Sequence, residues 1–181
     1  MSIYYLVSSL PSFSFGDKPF YTSESFIRLC TDWVNDSDMK ELESISLTAR
    51  ERYSGQSPFA LKWYKLIGAI ANSTVKLRAA KLNRDSSELL KEQKVIYSDI
   101  DKAVQDAFAA ENPMEKEKKL DRLKWFVLDS LEVGHFFDFD KLCIYKLRIL
   151  LSEKWLARKE AEGIKNLDKA LAILYTPSEE K

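Results

Sequence analysis

Asn112-Pro113-Met114-Glu115 opens the stretch that decides the fold, which runs through Leu120, Leu123, Trp125, Phe126, Leu128 and Leu131. After Val133-Gly134-His135 it resumes as Phe136-Phe137-Asp138-Phe139-Asp140-Lys141-Leu142-Cys143-Ile144-Tyr145, then Leu147, Ile149, Leu150, Leu151 and Trp155, up to Gly163. The apolar spacing is that of two long amphipathic helices joined by a tight aromatic turn. Asn112 is a good N-cap, Pro113 suits the first helical position, and Glu115 gives a capping-box-like pattern. Gly134 stops the first helix; Asp138 or Asp140 caps the second, and Gly163 ends it. A short connection makes the two helices antiparallel. This hairpin is the core against which the remainder packs.

Working outward, the same signals recur. Tyr4 to Leu10 is a short apolar segment, read as a helical turn or short helix that docks on the core, and Pro11 ends it. Residues 11–22, with two prolines, a glycine and several aromatics, form a loop. Ser23 caps a helix through Phe26, Ile27, Leu29, Cys30, Trp33 and Val34. Asn35-Asp36-Ser37-Asp38 breaks it and caps a short helix through Met39, Leu42 and Ile45. Ser57-Pro58 opens a long helix through Leu61, Tyr64, Ile67, Ala71, Val75 and Leu82, about seven turns at ~3.6 residues each. Gly68 inside it is a tolerated weakness or a close helix contact. Asn83-Arg84-Asp85 ends that helix, and residues 86–97 are a polar connection or short helix. Ser98-Asp99 caps a helix through Ile100, Val104 and Phe108, and a last helix runs from about Ile164 to Leu174. Residues 1–175 thus read as a single all-α domain, a bundle of long antiparallel helices, with 176–181 a flexible tail.

Composition sets the bounds. A chain of 181 residues buries roughly 70% of its unfolded surface, so it needs neither metal nor disulfide to fold. Lys plus Arg equals Asp plus Glu at 28 each, so no global field draws the chain to nucleic acid or membrane. The charge is uneven: residues 1–48 hold three basic and seven acidic side chains, a net of −4, and residues 49–94 hold ten and four, a net of +6. Such segments suit several protein contacts or internal pairing, as well as ordinary solvated faces. Cys30 and Cys143, far apart and outside any Cys-x-x-Cys, fit a reducing compartment. The N-terminus has no basic leader, and no window reaches the ~18 apolar residues of a membrane span, so a cytoplasmic location is expected.

The motifs of common chemistries are missing. There is no Gly-x-x-x-x-Gly-Lys-Ser/Thr phosphate loop and no Gly-x-Ser-x-Gly elbow. His135 is the only histidine, which excludes zinc sites built on two or three of them. The sharpest metal candidate is Glu132, His135, Asp138 and Asp140, with the Glu-x-x-His spacing of di-iron bundles. Those sites need that motif twice, so His135 is read as a turn residue whose ring bonds a carboxylate or carbonyl. The expectation is no enzyme, no catalytic residue, no metal and no cofactor. Lys62-Trp63-Tyr64-Lys65 with Lys76, Arg78, Lys81 and Arg84 makes a basic helix with aromatics, the pattern of single-stranded nucleic-acid binding. Aromatics at helical spacing are more often core, and no nucleic-acid partner is expected. Arg78 sits on the apolar stripe Tyr64, Ile67, Ala71, Val75, Leu82. It either pairs with a carboxylate at the hairpin turn, Glu132, Asp138 or Asp140, or reaches a partner. Arg78, Lys76, Lys81, Glu132, His135 and Asp138 are the candidate structural or interface residues.

Two stretches carry a resemblance. Tyr4-Tyr5-Leu6-Val7-Ser8-Ser9-Leu10-Pro11, followed by Phe15-Gly16 and Pro19, is similar to the opening of an uncharacterised family encoded inside bacterial V-type ATPase gene clusters. Leu131-Glu132-Val133-Gly134-His135-Phe136-Phe137-Asp138, continuing to Tyr145-Lys146-Leu147, resembles that family's other characteristic stretch. Asn72-Ser73-Thr74-Val75-Lys76-Leu77-Arg78-Ala79 resembles, more weakly, a helix of the C-type (d-type) connecting family of V/A-type ATPases, whose non-enzymatic helical bundles join the rotor ring to the central shaft. This chain is shorter than those proteins. The resemblance implies a non-catalytic accessory or connecting component, central-stalk and C-like, with other V/A-type ATPase subunits as partners and membrane association only through the complex. The competing reading is a free-standing helical binding protein for nucleic acid or a regulatory partner.

Overall fold

The computed structural model describes residues 3–48, 57–90 and 98–158. They form seven α-helices and one 3-10 turn, with no strand among them. The helices are α1 (Ile3–Ser9), α2 (Ser23–Cys30), α3 (Asp36–Ser44), α4 (Pro58–Lys81), α5 (Ser98–Phe108), α6 (Pro113–Glu132) and α7 (Phe139–Leu156). The 3-10 turn is Ser87–Leu89. The expected helix at 164–174, its stop at Gly163 and the tail at 176–181 lie outside the described residues.

Local chemistry accounts for the boundaries. Asn112 Oδ1 accepts from Glu115 N at 2.6 Å, and Asp138 Oδ1 from Lys141 N at 3.1 Å, so both hairpin helices begin on side-chain caps. Asn35 and Ser57 cap α3 and α4 in the same way. The α2 cap falls one residue earlier than Ser23. Thr22 Oγ1 accepts from Ser25 N at 3.2 Å, and Ser25 Oγ accepts from Thr22 N at 2.9 Å, a reciprocal capping box. Helix α2 also stops at Cys30 rather than running to Val34: Thr31 N turns to Arg28 O and Trp33 N to Cys30 O, so the chain leaves α2 in tighter turns before Asn35 caps α3. Asn83 ends α4 with a left-handed φ of 51°. Arg84 N donates to Ala79 O and Asn83 N to Ala80 O, the paired bonds of a Schellman turn. At Gly134, φ is 91°, and this residue closes α6. A Cβ built on Gly68 meets nothing within 4 Å, so of its two readings the close helix contact is the one the structure sets aside.

Helix α7 is the axis of the bundle. Leu142 to Leu147 are all buried, a helix covered all round, as its uninterrupted apolar run requires. Helices α1, α2, α3 and α6 pack directly on it, and α4, α5 and α6 pack on one another. One apolar cluster runs from Leu6 through Trp63 to Leu151.

The two hairpin helices are laced by charge along their length. Glu117 pairs with Arg158 in a fork at 2.6 and 2.7 Å, Asp121 with Lys154 at 2.5 Å, and Asp129 with Arg148 at 2.5 Å. Glu132 takes both Arg148 and Lys141. The pairs fall one or two helical turns apart along α6 and run in the opposite order along the chain of α7, which matches the antiparallel register.

Helix α7 also serves the ends of two neighbours. Glu153 Oε1 accepts from Ser23 N at 2.8 Å, at the start of α2. Lys146 Nζ donates to Leu42 O at 2.6 Å and Glu43 O at 2.9 Å, at the end of α3. An anion at a helix start and a cation at a helix end each complement the backbone dipole.

Candidate functional site

The two stretches that carry the resemblance meet in space at the turn of the hairpin. Tyr4 on α1 packs on Phe137 with ring centroids 4.4 Å apart, and Tyr5 stands edge-on to Tyr4 at 5.5 Å. Behind them, Tyr145 Oη donates to Pro11 O at 2.9 Å. Phe13 and Phe15 set their edges on Trp125 at 5.8 and 5.7 Å, and Phe13 and Phe26 flank Tyr145. The N-terminal segment is therefore stitched along the hairpin by aromatic contacts, each worth about 0.5–1.5 kcal/mol beyond its area. At the tip the rings are not covered: Tyr5 is 66% exposed, Phe136 70% and Val133 81%, with Tyr4 and Phe137 half out. Tyr4, Tyr5 and Phe137 thus form a partly exposed aromatic cluster at the tip.

The turn's charged residues surround this tip. His135 Nδ1 is hydrogen-bonded to Asp138 Oδ2 at 2.6 Å and lies 3.4 Å from Asp140 Oδ2, which holds the ring as the turn residue the sequence suggested. Glu132 is turned away, to Arg148 and Lys141, so the four candidate metal ligands do not converge. Burial raises the Asp140 carboxyl above its ordinary range, opposed by His135. Burial lowers the Lys141 ammonium, reinforced by Arg148. Asp38 and Lys62 lie within electrostatic reach of Asp140.

Of the two readings of Arg78, the ion pair at the hairpin turn is not formed. Arg78 is exposed on α4, and among the described residues it makes no ion pair. The partners expected for it are engaged elsewhere: Glu132 with Arg148 and Lys141, Asp138 and Asp140 with His135. The physical reason is that α4 outruns its cover. Phe59, Trp63, Tyr64, Ile67 and Ile70 are buried, but beyond them burial passes to Asn72, Ser73 and Ala79. Ala71 and Val75 are half-buried, while Leu82 is exposed. Arg78 and Lys81 line a groove at the far end of the hairpin, and Lys76 faces solvent. Trp63 and Tyr64, the aromatics of the basic helix, are in the core. Trp63 Nε1 donates to Ser46 O at 2.9 Å, and Ser46 N donates to Tyr64 Oη at 3.2 Å. Their faces are not open to stacking bases.

Burial holds the Cys30 thiol up at about 12 and Cys143 well above its ordinary value, and a buried protonated thiol is a poor nucleophile. Sequence reading missed Asp121, a buried charge that joins α6 to α7, and Lys146, a buried charge on α7 that holds the end of α3. The available signal was a lone charge inside an apolar run, as in Ile144-Tyr145-Lys146-Leu147. No described helix is long and apolar enough to cross a membrane. In comparison with known proteins, no family, curated protein or solved structure matches this chain.

Proposed function

We propose that this chain is a non-catalytic accessory or connecting component of a V/A-type ATPase, C-like and on the central stalk, peripheral to the membrane through the complex. The observation that carries the reading is the exposed aromatic tip. Tyr4, Tyr5 and Phe137, from the two stretches that resemble the operon-encoded family, touch one another on a braced hairpin, with Phe136 exposed beside Phe137 in the chain. A part that transmits torque or holds two others in register must be stiff, and the ion pairs between α6 and α7 oppose sliding of the two helices. The tip fits a partner surface that is apolar at its centre.

The test is affinity purification of the tagged full-length chain from its native host, with mass spectrometry of what is retained. ATPase subunits should be retained by the parent chain and lost by Phe136→Asp, which alters a side chain already in solvent. Retention of an unrelated protein set in place of ATPase subunits would support the free-standing binding reading and sink this one.

A further inference from the structure

At the end of the hairpin opposite the aromatic tip, a groove of about 600 Å³ lies between the C-terminal ends of α4 and α5, the first half of α6 and the end of α7. That volume is in the range of small-ligand sites. Five cations line it, Arg78, Lys81, Lys116, Lys124 and Lys154, against two anions, Glu117 and Asp121. Both anions are already satisfied. Asp121, fully buried, accepts from Lys124 at 2.8 Å, Lys154 at 2.5 Å and Trp155 Nε1 at 3.1 Å. Glu117 takes Lys154 at 2.8 Å and the Arg158 fork, which holds its carboxyl down at about 2.

Arg78, Lys81 and Lys116 are left over, with no ion-pair partner among the described residues. The ammonium groups of Lys81 and Lys116 gather at one ring, 5.7 and 4.8 Å from the Phe108 centroid. Cation–π attraction accounts for each alone, but two like charges held at one ring repel each other, and a bound anion in the groove offsets that repulsion. The first turn of α6, at Pro113, faces the same space and adds the positive end of a 20-residue helix. Leu82, Phe108, Pro113 and Leu120 supply apolar walls.

The geometry points to a binding site for an oligophosphate group. The Arg78 fork and the Lys81 and Lys116 ammoniums grip the phosphoryl oxygens, and the apolar walls accept a flat body where the ligand carries one. Arginine matches two phosphate oxygens at once, and lysine supplies point charges beside it. The surplus of three cations selects a multiply charged anion over a single phosphate.

Isothermal titration of the full-length chain, without divalent metal, tests this with tripolyphosphate and with ATP. Tripolyphosphate should bind, more weakly as salt rises. Arg78→Gln and Lys116→Gln should each weaken binding about tenfold, and the double variant should abolish it while keeping the parent's helical circular dichroism. Lys40→Gln, on the exposed face of α3, should change nothing. ATP binding tighter than tripolyphosphate, with the margin removed by Leu82→Gln, supports the site and identifies a nucleotide. Equal affinities support it and identify the free oligophosphate. No tripolyphosphate binding at millimolar concentration, or binding that survives in the double variant, overturns the proposal.

Discussion

Replacing Lys146 by Met tests whether α7 anchors α3 through a buried charge. The ammonium is buried and donates to Leu42 O and Glu43 O at 2.6 and 2.9 Å. Bonds from a charged donor contribute about 1.5–3 kcal/mol each, net of the water bonds they replace, so the two are worth ~3–6 kcal/mol at most. Met fills similar volume and removes the cost of burying a charge, which is several kcal/mol. It also leaves the last carbonyls of α3 without this donor, at about 1–3 kcal/mol. The net loss is expected at about 2–4 kcal/mol, a fall in melting temperature of roughly 10 °C for a chain of this length. Hydrogen exchange should show where the loss falls, with the amides of Asp36–Ser44 losing protection before those of α6. Lys146→Gln keeps an uncharged NH2 donor and should recover part of the loss. A Lys146→Met protein as stable as the parent, or one whose protection falls evenly everywhere, would refute the anchoring role.

Asp121→Asn should lower stability by about 2–3 kcal/mol, less than a fully enclosed pair would lose, because Lys124 and Lys154 are 18% and 28% exposed and can turn to water; a urea titration with unchanged slope measures it. Glu117 sets an acid limb. Its carboxyl is depressed from 4.5 to about 2, first by the Arg158 hydrogen bond. Its contribution is therefore fully present above about pH 5 and fades as pH falls from there toward 2. Melting temperature against pH should show this limb, and Glu117→Gln should flatten it.

The helices of the hairpin were legible because their signals are local. Asn112-Pro113, Gly134 and Asp138 act within one turn of chain, and the apolar spacing between them is a property of consecutive residues. His135 was legible for the same reason, since its carboxylate is three residues away. The caps at Asn35 and Ser57 follow the same rule, and the shift from Ser23 to Thr22 is a one-residue choice between neighbouring hydroxyls.

Arg78 shows where local reading stops. A helical stripe says which residues share a face, but whether that face is covered depends on how far the neighbouring helices extend beside α4. The same limit hid Lys146 and Glu153, whose partners lie 104 and 130 positions away. It hid Asp121, whose lysine and tryptophan come from the antiparallel helix. The meeting of Tyr4 with Phe137 and the gathering of Lys81 and Lys116 at Phe108 join separate elements of the chain. By itself the sequence determined which segments are helical, where most of them start and stop, and that α6 and α7 turn back on each other. Only the tertiary structure decided which charges are buried, which aromatics stay in solvent and which cations are left unpaired, because those depend on distances between segments that no local pattern encodes.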